Sequence, residues 1–153
     1  MIVPQEIYHP LYTDTEKFII LITGGRGSGK SFNASTFIER LTFEMTPVEK
    51  IVHQILYTRY TMVSAGMSII PEMMEKIDLD GTTKYFKTTK TDIVNKMTKS
   101  RIMFRGIKTS SGNQTAKLKS IQGITTFVCD EAEEWTSEDE FDKICLLYTS
   151  PSP

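Results

Sequence analysis

Cysteine is scarce, with 2 in 153 residues, Cys129 and Cys145. The pair lacks metal-ligand spacing, so neither a zinc cluster nor a disulfide framework is expected, and a reducing compartment fits. Long apolar runs are also missing: none approaches the roughly 20 residues that a membrane helix needs. Met1-Ile2-Val3-Pro4 is short and has no basic flank, so no secretory pattern opens the chain. Net charge is close to balance at −1, and there is no internal repeat. The length suits one domain or part of one.

What is present is a glycine loop in a telling context. Gly24-Gly25-Arg26-Gly27-Ser28-Gly29-Lys30-Ser31 follows the apolar run Phe18-Ile19-Ile20-Leu21-Ile22 and precedes a helical pattern from Ser31. Strand, G-x-x-x-x-G-K-S and helix together form a phosphate-binding loop. Its glycines let successive backbone N–H groups turn toward phosphate oxygens, and the helix adds its unpaired N-terminal donors. Lys30 reaches the β- and γ-phosphates as a point charge, and Ser31 places its hydroxyl on a magnesium ion. The expected ligand is a nucleoside triphosphate.

A second constellation points to hydrolysis. Thr126-Phe127-Val128-Cys129 reads as a short buried strand with Asp130-Glu131 at its carboxyl end, where open parallel sheets place their ligands. An aspartate there holds the Mg²⁺ shell. The neighbouring Glu131 is placed to orient or deprotonate the attacking water. An acidic helix start is the structural alternative.

Charge is unevenly spread. Lys84 to Lys119 contains ten basic residues against Asp92, a local +9, and Asp130 to Asp142 then carries eight acids. The basic segment is read either as a polyanion contact, DNA above all, or as a solvated lysine-rich face.

The remaining pattern predicts α/β architecture: a mainly parallel sheet flanked by helices, with an inserted antiparallel segment. Residues 1–17 form an irregular lead-in and Phe18–Thr23 the first core strand. Ser31–Met45 is a helix with an apolar face, stopped by Pro47, and Ile51–Tyr60 holds the second strand, ending at Arg59. Met62–Ile77 reads as a Met-rich core helix that Gly66 or Pro71 could break. Tyr85–Thr89, Asp92–Met97 and Arg101–Arg105 form a meander, Gly106–Gln114 a loop and Thr115–Ser120 a helical turn. Ile124–Cys129 is the third core strand, and Ser137 with Glu140 caps an acidic helix.

Cys145-Leu146-Leu147-Tyr148-Thr149-Ser150-Pro151-Ser152-Pro153 breaks with the rest. It matches one reading frame of a sequencing-library transposase adapter and is expected to be non-native, with a different natural continuation after Ile144. The expected organisation is thus a lead-in at 1–17, a partial ATPase domain at 18–144 and this tail at 145–153.

With Ile22-Thr23 before the loop, Leu56-Tyr57-Thr58-Arg59 between and Phe127 to Glu134 after, residues 5–144 resemble the large terminase subunit of tailed bacteriophages. That resemblance implies an ASCE-type P-loop NTPase, incomplete here at its C-terminus. ATP and Mg²⁺ are its cofactors, and ATP-driven packaging of double-stranded viral DNA into procapsids is its activity. Implied partners are DNA, the portal, the small terminase subunit and further copies on the portal, in the host cytoplasm and away from any membrane. It also implies that Arg26 senses or stabilises the γ-phosphate, unless it is a surface arginine pairing with a nearby acid. Gln5 or Tyr8 would meet adenine, although a buried or surface tyrosine is the plainer reading of Tyr8. The nuclease domain and the coupling motif of that family are not found in this stretch, and no nuclease activity is expected of it. Alternatives are a superfamily-two helicase-like translocase, a phosphate-transferring kinase, and a nucleotide- or DNA-binding fragment without turnover.

Overall fold

Gln54–Thr61 is rich in β-branched and aromatic residues and forms β1, the strand on which the sheet is built. The computed structural model describes residues 1–14, 16, 19–44, 52–61, 69–109, 112, 113, 118, 121–135, 137–139, 141 and 142. Its other strands are β2 (Phe86–Thr88), β3 (Asp92–Asn95), β4 (Arg101–Thr109), β5 (Gly112–Asn113) and β6 (Thr126–Asp130), in the order β2-β3-β4-β1-β6 with β5 on β4. Its helices are the single turn α1 (Pro10–Thr13), α2 (Lys30–Leu41) and α3 (Ile69–Leu79). Among the described residues no helix is long and apolar enough to cross a membrane.

The fold is α/β, but the expectation of a mainly parallel sheet needs correction. β1 pairs in parallel with β4 and β6, whereas β2–β3, β3–β4 and β4–β5 are antiparallel. The meander is not set into a parallel sheet from outside. It enters through β4, which is antiparallel to β3 on one side and parallel to β1 on the other.

Alternation along β1 divides the core. Ile55 and Tyr57, with Ile102 and Phe104 of β4, pack under Ile38 of α2 and Ile69, Ile70, Met73 and Ile77 of α3. Leu56, Met103, Ile107 and Leu118 fill the opposite face with Phe127 and Trp135. Pro71 lies in the first turn of α3, where its missing N–H has no helical acceptor to lose; residues 62–68 lie outside the described residues.

Three further expectations change. Ile19–Thr23 joins no ladder, and Ile19 and Leu21 are 77% and 82% exposed. An apolar run becomes a strand only beside a partner, and the described residues supply none here. Gly106–Thr109 continues β4 and Gly112–Asn113 pairs back onto it, so the expected loop is largely a hairpin. The lead-in carries a 3-10 turn at Glu6–Tyr8 as well as α1. Phe18, Met45, Pro47, Glu140 and the tail 145–153 lie outside the described residues, as does all of 115–120 except the buried Leu118.

The end of α2 is tied down by polar contacts. The Thr98 hydroxyl donates to the Thr42 carbonyl at 2.6 Å, satisfying an acceptor that the helix end leaves open, and the Asn95 amide donates to the Thr42 hydroxyl at 3.1 Å. Arg40 forks onto Asp80 through Nε at 3.0 Å and Nη2 at 2.9 Å, and Nη2 also donates to the Ile2 carbonyl at 2.6 Å. The Ile2 amide donates to Asp80 in turn, at 2.6 Å. This clamp fastens the N-terminal segment to the ends of α2 and α3.

Glu39, one residue before the fork, is wholly buried; Thr82 donates to its Oε1, and its Oε2 has no partner among the described residues. Burial, with the Asp80 carboxylate adding to it, pushes its pKa from 4.5 to about 7. The folded protein therefore takes up a proton here that the unfolded chain releases. The associated stability is fully present below pH 4.5 and is lost as pH rises through about 7. The loss across that span is on the order of 3 kcal/mol. Glu39→Gln should remove it: urea titrations at pH 5 and pH 8 are expected to differ by about 2.5 kcal/mol in the wild type and by under about 1 kcal/mol in the variant. Equal losses in both proteins would show that Glu39 does not titrate in this window.

Candidate nucleotide and metal site

The glycine loop turns at Ser28, whose amide donates to the Gly25 carbonyl at 3.3 Å, and hands over to α2 at Gly29. Gly29 is the N-cap with φ 78° and ψ 5°, a left-handed geometry that suits glycine. A Cβ on it would meet Asn33 Nδ2 and Gln5 Oε1 at 3.3 Å each, and one on Gly24 would lie 2.7 Å from the Ser28 hydroxyl. Among the described residues no side chain caps α2, which leaves its first N–H groups and the positive end of its dipole for an anion. Lys30 Nζ donates back to the Gly24 carbonyl at 2.8 Å and closes the loop. Arg26 stands exposed on the loop and Ser31 exposed in the first turn of the helix.

The N-terminal segment buttresses this loop. Tyr8 is buried, and its hydroxyl donates to the Ser28 carbonyl at 2.9 Å; Gln5 lies against Gly29. Beside the loop Ile7, Tyr8, Leu11, Ile19 and Leu21, with Asp14 and Thr23, line an open, mainly apolar groove of about 450 Å³.

The acidic half of the site sits where β6 ends. The register pairs Tyr57 with Val128 and Arg59 with Asp130. Tyr57 and Val128 pack in the core under α2 and α3, and the two-residue period carries Arg59 and Asp130 to that face. The helix that begins at the glycine loop thus packs on the sheet face that carries Asp130. Arg59 donates to Asp130 Oδ2 from Nε, and its Nη2 contacts the same oxygen, both at 2.8 Å. Both side chains are largely covered, at 23% and 18% exposure. Burial, and after it the Asp130 charge, pushes the Tyr57 phenol upward.

Glu131 follows in the left-handed region, φ 51° and ψ 51°, before the 3-10 turn Ala132–Glu134. A non-glycine residue there costs roughly 1 kcal/mol. Its Oε2 is 3.7 Å from Arg59 Nε. Its pKa is raised by partial burial, with Asp130 and Glu134 adding to that and Arg59 opposing. The oxygen donors Asp130 and Ser31 are the chemistry Mg²⁺ takes. Among the described residues no cluster of three or more His, Cys, Asp or Glu is placed to hold a metal ion.

In the sequence Arg59 reads as a strand-end charge, and nothing marks it or Tyr57 as a neighbour of the β6 acids. A usable signal was the arginine at the exit of one strand and the acid pair at the exit of another, but their meeting depends on a pairing that neither segment announces. The structure also divides the basic segment. Lys96, Lys99 and Arg101 lie at the start of β4, the sheet end opposite Asp130. Arg105 is bound to Asp92 at 2.9 Å, and Arg101 approaches the same carboxylate at 3.7 Å. Lys87 is exposed on the edge strand β2, and Lys84 lies 4.9 Å over the Tyr85 ring.

No curated protein matches this chain. A family model described as phage terminase large subunit matches residues 16–150, a span that contains the glycine loop, Arg59 and the Asp130-Glu131 pair. The chain belongs to the phage terminase large subunit family, whose role lies in the packaging of viral DNA.

Proposed function

We propose that this chain carries the ATP-hydrolysing site of a DNA-packaging motor, built on a P-loop NTPase fold. The observation that carries the reading is the uncapped glycine loop opening α2, together with an acid pair at the carboxyl end of β6 on the face that α2 covers. Phosphate oxygens would take the α2 amides and draw Lys30 from the Gly24 carbonyl. Ser31 and Asp130 would hold Mg²⁺, which supplies charge neutralisation at the phosphates when bound. Glu131, in its strained left-handed position beside Asp130, would orient and deprotonate the attacking water. Arg26, exposed on the loop, can swing its guanidinium over the γ-phosphate. The apolar groove ending at Thr23 would take the adenine, with Gln5 and Tyr8 at its loop side. Because the Tyr8 hydroxyl is engaged by Ser28, Tyr8 acts there chiefly as a brace. Double-stranded DNA, the portal, the small subunit and neighbouring copies are the proposed partners, in the host cytoplasm.

Glu131→Gln is expected to bind ATP as the wild type does and to lose turnover by about 10²-fold or more; unimpaired turnover would remove Glu131 from the chemistry. Glu131→Gly should lose turnover equally while gaining about 1 kcal/mol of stability by relieving the backbone. A thermal melt with no gain would show that the left-handed conformation is not strained.

The DNA reading is tested on exposed lysines that no carboxylate among the described residues engages. Neutralising Lys84, Lys87, Lys96 and Lys99 while keeping Arg101 and Arg105 on Asp92 should weaken DNA binding and flatten its salt dependence, by roughly one unit of slope for each phosphate left without its lysine. An unchanged slope would make these lysines a solvated face.

A further inference from the structure

Arg59 places two nitrogens on one oxygen of Asp130, at 2.8 Å each. A metal ion entering on Asp130 must share or displace that contact, since a guanidinium and a divalent cation seek the same lone pairs. The pair is well covered, so water screens it little. Glu131 offers a second acceptor 3.7 Å from Arg59 Nε, near enough for the guanidinium to reach by side-chain rotation alone. The left-handed backbone at Glu131 holds that carboxylate beside Arg59 instead of letting it continue along the strand.

We propose that Arg59 is a positioning residue that exchanges partners: it neutralises Asp130 while the metal is absent, and moves onto Glu131 when the metal takes Asp130. This rests on the reading of Asp130 as the Mg²⁺ ligand. The exchange has two consequences. Arg59 opposes metal entry, so an empty site does not hold two unpaired carboxylates. Once displaced, it fixes the orientation of the water-activating carboxylate, linking metal loading to the readiness of Glu131. A salt bridge that stayed on Asp130 would also oppose metal entry, but it would leave the orientation of Glu131 unlinked to metal loading, so removing Arg59 would raise Mg²⁺ affinity without lowering turnover.

A reporter is built in. Trp135 is the single tryptophan of the chain, and it packs 5.5 Å from the Tyr60 ring, one residue beyond Arg59, with its indole nitrogen buried. The full chain, saturated with a non-hydrolysable ATP analogue, is titrated with MgCl₂ while Trp135 emission and, separately, calorimetric heat are followed. Arg59→Gln is expected to lower the half-saturating Mg²⁺ concentration about tenfold, the scale of one charge-assisted hydrogen bond, with nucleotide binding in EDTA unchanged and turnover reduced. Arg59→Lys, which keeps the charge but not the fork, should shift it by about threefold and remains as the test if the Gln variant does not fold. A half-saturation equal to or above the wild-type value in the folded variants overturns the exchange. Wild-type protein that binds no analogue even with Mg²⁺ overturns the nucleotide-site reading itself, whereas wild-type binding with variants of unchanged Mg²⁺ dependence overturns the exchange alone.

Discussion

The parallel ladder between β1 and β6 is the constraint on which the rest depends. It sets Tyr57 against Val128 and Arg59 against Asp130, and both pairs share one face. A slip of one residue would turn Asp130 away from α2 and send Phe127 out of the opposite core. The register is locked by apolar residues on both sides of the sheet, Ile55 and Tyr57 under the helices and Leu56 and Phe127 beneath. Packing energy therefore aims a charge pair that contributes little packing itself. With the sheet held by its apolar faces, a change of partner at Asp130 would not disturb the register.

The N-terminal segment reaches the site by a separate route. Arg40, Asp80 and Ile2 form a closed set of charge-assisted bonds, and Tyr12 adds a ring edge-on to Phe37 at 5.5 Å. Residues 1–13 are thereby held along α2, which brings Gln5 and Tyr8 up against Gly29 and Ser28. The loop is braced by a segment that precedes it by about twenty residues and is anchored again at the far end of α2.

Local signals were legible in the sequence and pairings were not. The glycine loop, the helix after it, β1, the core role of Ile70, Met73 and Ile77, and the short strands β2, β3 and β6 all follow from periodicity and turn residues within a few positions of each other. The mixed character of the sheet is different, because it depends on β4 choosing β1 as a parallel neighbour. The Ser/Gly-rich stretch after Arg105 looked like a loop since hairpin register lies outside any single window. The acid pair was visible as chemistry, but its cationic partner came into view only when Arg59 and Asp130 were placed side by side. The basic run looks like one patch because chain order hides the fold: Lys96 stands exposed in the turn before β4, whereas Arg105, nine residues on, lies midway along β4 and is held by Asp92.

Ile19–Thr23 shows the same principle at the site itself. Its residues have the strongest strand character in the chain, and they form no strand, because β structure belongs to a pair of segments and not to one. The loop that follows is consequently held from its helix side. Gly29 fixes the entry into α2, the Tyr8 hydroxyl grips Ser28, and Lys30 bonds back to Gly24. Two of these three are side-chain bonds, and the one made by Lys30 is the one that phosphate would take over. Ligand binding at such a loop replaces an internal tie with an external one. The ordering cost is then set by the brace at Tyr8 and the helix at Gly29 more than by the run that leads in.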